Sequence, residues 1–146
     1  MNSKNIGELT EATILLEFLK QNISVSLPWG DNQSYDMIID YKNKLYKIQC
    51  KTGRLSDDDT FLMIPFRSTH SNKNQTYTKY YSEKNVDFFA TYHNNKVYLV
   101  PVSCVQKTAI HLRLLPCKNN QVKSINWAKD YELDAQLNIL NNDKED

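Results

Sequence analysis

The sequence predicts an α/β fold, a mixed β-sheet flanked by helices, and three observations lead to it. A helical apolar period opens the chain, a run of short strand-like segments fills the middle, and a second helical pattern lies near the end. A helix, then strands, then a helix point to α/β or α+β architecture around a mixed sheet. Gly7 to Gln21 forms the first element, with Leu9, Ala12, Leu15, Leu16 and Leu19 recurring at three- and four-residue intervals on one side, and Asn22 is its stop. Ile23 to Leu27 is a short strand, ended by the loop signal Pro28-Trp29-Gly30. Tyr35 to Asp40 and Leu45 to Thr52 are strands whose connection, Tyr41 to Lys44, is short enough for a hairpin. Phe61 to Phe66 is a further strand, and a polar stretch from Ser68 to Ser82 follows it. Val86 to Tyr92 and Lys96 to Val100 make another hairpin across His93, Asn94 and Asn95. Ser103 to Leu115 fits helix or strand, and Trp127 to Leu140 reads as the last helix.

At 146 residues the chain is expected to be one domain, 1–146, around one core. No apolar run approaches the roughly 18 residues of a membrane span, and the N-terminus has no basic stretch leading into an apolar one. Cys50, Cys104 and Cys117 are odd in number, without CxxC spacing or nearby His ligands, which argues against a disulfide framework and a zinc site. A reducing, cytoplasmic compartment is expected. The net charge of +1 does not announce a nucleic-acid binder, so distribution matters more. Acids collect at Asp57 to Asp59 and in the tail, whereas Arg67, Lys73, Lys79 and Lys84 lie in a segment with no acid until Glu83. That segment is either a solvated polar loop or a local basic surface. His70, His93 and His111 have no mutual spacing that suggests chemistry, and Trp29 and Trp127 are expected to be packing residues.

Side chains alternate along a strand, so Tyr46, Ile48 and Cys50 point one way while Lys47, Gln49 and Lys51 point the other. A hairpin folds Asp36 back toward Gln49, so that a carboxylate, an amide oxygen and an ammonium converge at one end of two strands. Such oxygen ligands suit Mg²⁺, which takes one or two carboxylates from a protein and fills its other positions with water and substrate phosphate. Lys51 is placed to orient or deprotonate an attacking water, or to stabilise charge on a phosphate in transit. The first helix offers another acid: Glu11 precedes Leu15 by four and Phe18 by seven, beside the apolar stripe, and Glu8 is its rival. Singly, each of these residues has an ordinary structural explanation; the joint pattern has a shared mechanism.

Several segments together resemble the PD-(D/E)XK nuclease superfamily, and within it the group I intron-associated homing endonucleases. They are Gly7-Glu8-Leu9-Thr10-Glu11-Ala12, Leu27-Pro28-Trp29-Gly30-Asp31, Tyr35-Asp36-Met37-Ile38-Ile39-Asp40 and Tyr46-Lys47-Ile48-Gln49-Cys50-Lys51-Thr52. Val86-Asp87-Phe88-Phe89 and Val97-Tyr98-Leu99-Val100-Pro101 add to the resemblance. It implies that Glu11 is the helix glutamate, Asp36 the motif aspartate, Gln49 the residue in place of the usual second acid, and Lys51 the motif lysine. All four would then be catalytic, with Glu11, Asp36 and Gln49 as metal ligands. Tyr35 stands where the superfamily name has proline. Gln49 removes one negative charge from the metal site, and the intron-associated branch itself uses Gln there.

The resemblance further implies a restriction-endonuclease-like core and hydrolysis of phosphodiester bonds at a specific double-stranded DNA site, dependent on Mg²⁺ with Mn²⁺ as a substitute. One compact site cuts one strand, so a double-strand break calls for a homo-oligomer, a dimer or a tetramer. Arg67, Lys73 and Lys79, set among Thr, Ser, Asn and Tyr side chains, are the expected DNA-binding residues. Two alternatives stand beside this reading: another nuclease of the superfamily, such as a restriction enzyme or junction resolvase, and a catalytically silent DNA-binding module of the same fold.

Overall fold

In the computed structural model the opening apolar segment is helix α1 (Ser3–Lys20), which starts earlier than the apolar period because Asn2 caps it, accepting the Asn5 N–H at 2.9 Å. The structure describes residues 1–71, 74–80, 85–104, 108–120 and 123–143, with the backbone alone at 68–71 and 76–80. Helix α1 ends as Asn22 takes a φ of 59°. The Asn22 N–H donates to the Leu19 carbonyl and the Ile23 N–H to that of Phe18, both at 3.0 Å, a Schellman ending. Ile23 and Phe18 are buried in the same apolar cluster, which adds the contact that usually accompanies this turn.

Strands β1 (Ser24–Ser26), β2 (Met37–Tyr41) and β3 (Lys44–Cys50) follow, then β4 (Arg54–Leu55) and β5 (Phe61–Pro65). A hairpin of β6 (Arg67–Ser71) and β7 (Thr76–Tyr80) occupies much of the polar stretch from Ser68 to Ser82, which composition alone left as a loop or a basic surface. Strands β8 (Phe88–His93), β9 (Lys96–Pro101) and β10 (Ala109–Arg113) precede helix α2 (Leu133–Asp143). Of the ambiguous Ser103 to Leu115 segment, Ser103 and Cys104 lie in a 3₁₀ turn (Val102–Cys104) and Ala109–Arg113 is strand. The closing helix begins later than its apolar pattern, after a short 3₁₀ turn at Ala128–Tyr131.

The main sheet has the order β1-β2-β3-β8-β9, antiparallel except for the parallel pair β3 and β8, so it is mixed as expected. Two-residue turns with positive φ at both positions, Lys42-Asn43 and Asn94-Asn95, close the β2–β3 and β8–β9 hairpins, and their twist matches that of the strands. Asp87 pins the start of the parallel pair: its Oδ2 accepts the Lys47 N–H at 2.8 Å, and its own N–H donates to the Lys47 carbonyl at 2.9 Å. A second sheet, β10-β5-β4, is antiparallel.

Apolar residues collect in two clusters, one on each face of the main sheet, rather than in the single core expected. On one face Ile14 and Phe18 of α1 and Leu133 and Leu137 of α2 cover Ile39, Ile48, Ala90 and Leu99. On the other, Leu62, Ile64, Ile110 and Leu112 of the second sheet cover Phe89, Tyr98 and Val100. The buried face of α1 corrects the sequence reading. Ile14 and Phe18 are fully buried, while Leu9, Leu16 and Leu19, taken from the spacing as the inward stripe, are at least half exposed. No helix among the described residues is long and apolar enough to cross a membrane.

Candidate active site

Asp36 stands one residue before β2, and the ladder with β3 reaches it: its N–H donates to the Ile48 carbonyl at 2.8 Å. Its Oδ2 then accepts the Cys50 N–H at 2.7 Å, a bond that fixes the carboxylate against the end of β3. The register pairs Met37 with Ile48, so its next step sets Asp36 beside Gln49. Burial pushes the Asp36 carboxyl above its usual range, and the Cys50 N–H and the Lys51 ammonium offset part of that rise.

Glu11 reaches the same place from α1. Burial raises its carboxyl first, and the negative charges of Asp36 and then Glu8 raise it further. Glu11 thus feels the Asp36 carboxylate from a partly buried position, and both carboxyls are short of solvent. The rival acid, Glu8, is exposed, and it is Glu11 that lines the cleft next to Asp36. A hydroxyl pair ties the two elements: Thr10 Oγ1 donates to the Ile6 carbonyl at 2.9 Å and so has no proton left for Thr52 Oγ1, 2.9 Å away. Thr52 is therefore the donor, joining the helix that carries Glu11 to the chain just past Lys51.

Lys51 continues the parallel pairing past β3, its N–H donating to the Ala90 carbonyl at 2.8 Å. Its side chain is buried, with a relative exposure of 9%, and Nζ lies 3.5 Å from the Arg67 carbonyl. A buried lysine is rare unless paired, and here the Asp36 carboxylate is close enough to feel its charge. Gln49 is half-buried, and its amide makes no hydrogen bond among the described residues. Tyr46 and Ile48 belong to the helix-side cluster with Cys50 packed against it, so the alternation expected for β3 holds and leaves Gln49 and Lys51 on the other face. Desolvation and the two nearby acids raise the Cys50 thiol well above its usual range, so it is a packing group here and not a nucleophile. Beyond Lys51 the chain squeezes past the second sheet: a Cβ on Gly53 would come within 2.9 Å of Leu62 Cδ1 and 3.0 Å of Thr91 Oγ1, which accepts the Gly53 N–H.

A cleft of about 300 Å³ opens over Glu11 and Asp36, bounded by Leu27, Pro28, Gly30 and Asp31. A larger hollow of about 660 Å³ lies at the second sheet, lined by Phe61, Ile110, His111 and Arg113. It contains neither Glu11 nor Asp36. Among the described residues no group of three His, Cys, Asp or Glu side chains is placed to hold a metal ion. A cation in this cleft would meet two carboxylates, Glu11 and Asp36, with the neutral oxygens of Gln33 and Tyr35 in the same lining and Gln49 at the adjoining strand end. Two crowded carboxylates with hard oxygen donors fit a small divalent cation, which relieves their repulsion.

The structure brings Glu11, Asp36 and Lys51 together and sets Gln49 at the same strand end. Of the three expected DNA-binding residues, Arg67 is exposed and opens β6 next to Lys51. Lys79 lies in β7, where its backbone pairs with Ser68, while its side chain is outside the described residues. Lys73, like Lys84, lies wholly outside them. The sequence gives Thr10, Thr52 and Gly53 no positioning role, although Thr10 adjoins Glu11, Thr52 adjoins Lys51 and Gly53 follows Thr52. Trp29, expected to be a packing residue, instead has a relative exposure of 101%.

Comparison with known proteins bears on this geometry. No curated protein sequence matches the chain. Among solved structures it is similar to a bacterial homing endonuclease, I-Ssp6803I, with a TM-score of 0.77 and 23% identity, covering 99% of this chain and 97% of that one. At that identity the likeness establishes a shared fold. The family model described as PD-(D/E)XK endonuclease matches residues 1–134, taking in α1, the whole main sheet and every residue of the cleft. The chain belongs to the PD-(D/E)XK endonuclease family.

Proposed function

We propose that this protein is a magnesium-dependent endodeoxyribonuclease that hydrolyses phosphodiester bonds at a specific double-stranded site, as an intron-encoded homing endonuclease. The observation that carries the reading is the convergence of a helix carboxylate, Glu11, and a strand-end carboxylate, Asp36, each raised in its affinity for protons, with a buried Lys51 beside the second. The homing role is supported by likeness over nearly the whole of both chains to a homing endonuclease.

Glu11, Asp36 and the Gln49 amide oxygen would hold Mg²⁺, with Mn²⁺ able to take its place as a divalent cation that accepts the same oxygen donors. Bound there, the ion would polarise the scissile phosphate and make an attacking water more acidic. The chain's own groups supply the rest. Asp36, which lines the cleft, is held by the Cys50 N–H through Oδ2, so the carboxylate needs no rotational search. Lys51, held by its burial, orients the attacking water or stabilises the negative charge that grows on the phosphate oxygens. Arg67, with Lys73 and Lys79 in the same stretch of chain, clamps flanking phosphates. A pool of supercoiled plasmids whose inserts span the source genome, so that the specific site is represented, separates the readings: nicked or linear product with Mg²⁺ and none with a chelator is expected. Binding without nicking at any metal concentration would favour a silent DNA-binding module.

Cutting both strands calls for two such sites, so the working species is a homo-oligomer, a dimer or a tetramer. Its support is the outward face of α1, where Leu9, Ala12, Leu16 and Leu19 repeat at intervals of three, four and three residues. A helix apolar on both sides is ordinarily buried on both sides. Replacing Leu16 with Glu, a change at a half-exposed position, is expected to lower the mass seen by light scattering and to turn linear plasmid product into nicked circles. A parent protein that makes double-strand breaks at the mass of a single chain would overturn this.

A further inference from the structure

The loop between β1 and β2 carries the largest side chain that the fold leaves in water. Trp29 has a relative exposure of 101%, and Leu27, two residues away, 61%. A large apolar ring held in water contributes nothing to the core, and a scattered surface leucine would need no comment. Position distinguishes this pair. Leu27, Pro28, Gly30 and Asp31 line the cleft that holds Glu11 and Asp36, so Trp29 sits at the crest of its rim with cleft residues on either side. Pro28 fixes its own φ, and Gly30 turns the chain back with a φ of 80°, a conformation most residues avoid.

Charge decides what this rim can grip. Among the residues that line the cleft, Glu11, Asp31 and Asp36 are acidic and none is basic. The rim therefore offers phosphates no cation, only the hydrogen-bonding groups of Gln33 and Tyr35, and what Trp29 and Leu27 add for a nucleic acid is apolar contact and stacking. An exposed indole provides both: in a duplex the base faces are covered by their neighbours, so it packs on a deoxyribose or wedges into an opened base step.

We propose that Trp29 is a DNA-contacting residue, whose indole, with Leu27 beside it, lies against the bases or deoxyriboses next to the phosphate in the Glu11–Asp36 cleft and sets the strand in register for cleavage. This rests on the chain acting on duplex DNA. The side chain is fully exposed, so its removal is expected to leave the fold alone.

The test uses the full chain and a duplex bearing its cut site, mapped from the plasmid products, with Ca²⁺ replacing Mg²⁺ for binding. Trp29→Ala is expected to melt like the parent and to weaken duplex binding by between about 5- and 150-fold, the range one stacked aromatic supplies. Trp29→Phe should recover part of that loss. In Trp127→Phe, which leaves Trp29 as the only tryptophan, adding the duplex should shift the indole emission to the blue and quench it. Unchanged affinity and cleavage by Trp29→Ala would overturn the proposal, as would a lowered mass with DNA binding intact, which would make the indole a protein contact. A parent that binds no duplex at all would overturn the nuclease reading along with it, whereas a parent that cuts DNA with an indole blind to it overturns this inference alone.

Discussion

Asp36→Asn is expected to lower plasmid cleavage by at least about 10³-fold while the protein stays folded and still binds DNA. Asparagine keeps the carbonyl oxygen that accepts the Cys50 N–H at 2.7 Å, so the end of β3 retains its partner and only the charge is lost. The fold should not suffer, because the environment of Asp36 disfavours its charged form. The sign follows from linkage. A carboxyl raised in the folded protein binds its proton more tightly there than in the unfolded chain, so its contribution to stability is present at low pH and is lost as pH rises through the raised value. Glu11 shifts the same way, mainly by burial and then by repulsion from Asp36. In chelator at neutral pH, Asp36→Asn should therefore melt at or above the parent's temperature, and the gap should close as the pH falls into the ordinary carboxylate range. Added Mg²⁺ should raise the melting temperature of the parent and not of the variant. Full cleavage by Asp36→Asn would remove Asp36 from the site.

The parts of this arrangement that local rules govern are legible in the sequence. Asp36, Gln49 and Lys51 lie on one hairpin, where alternation and a short turn fix which side chains meet, and the structure keeps that geometry. Glu11 was reachable because its spacing from Leu15 and Phe18 places it on the side of α1 that meets the sheet, where Phe18 is buried. The wider stripe of Leu9, Leu16 and Leu19 was misread for a related reason. A helix with apolar residues all round gives spacing no means of choosing its inner face, and Ile14 and Phe18 fill the gap left over the main sheet. The second sheet escaped notice because β5 alternates like any half-buried strand, while its partners, β4 and β10, lie on either side of it in the chain and far apart. Trp29 looked like core by composition; only the placement of the loop shows it in water.

Lys51→Met is expected to slow cleavage by about 10²- to 10⁴-fold with little change in DNA affinity, since methionine keeps the buried stem and removes only the charge. Two roles for the lysine make different demands. A phosphate clamp acts in binding, so its loss would appear in affinity and in the salt dependence of binding, with the rate at saturating DNA preserved. A group acting on the attacking water or the developing charge acts in the chemical step, and its loss appears in the rate at saturation. Burial favours the second role, because phosphate clamps are ordinarily exposed, as Arg67 is. The structure supplies one more signature. Lys51 holds the Asp36 carboxyl down against the upward push of burial. Without that ammonium, protons compete more strongly for Asp36, so the residual cleavage of Lys51→Met should need a higher pH, and more Mg²⁺ at a given pH, than the parent. Lys51→Arg should not restore the rate, since a planar fork does not fit where a compact ammonium lies 3.5 Å from the Arg67 carbonyl. A variant that lost affinity alone, with an unmoved pH profile, would make Lys51 a clamp and leave the attacking water to Glu11 and Asp36.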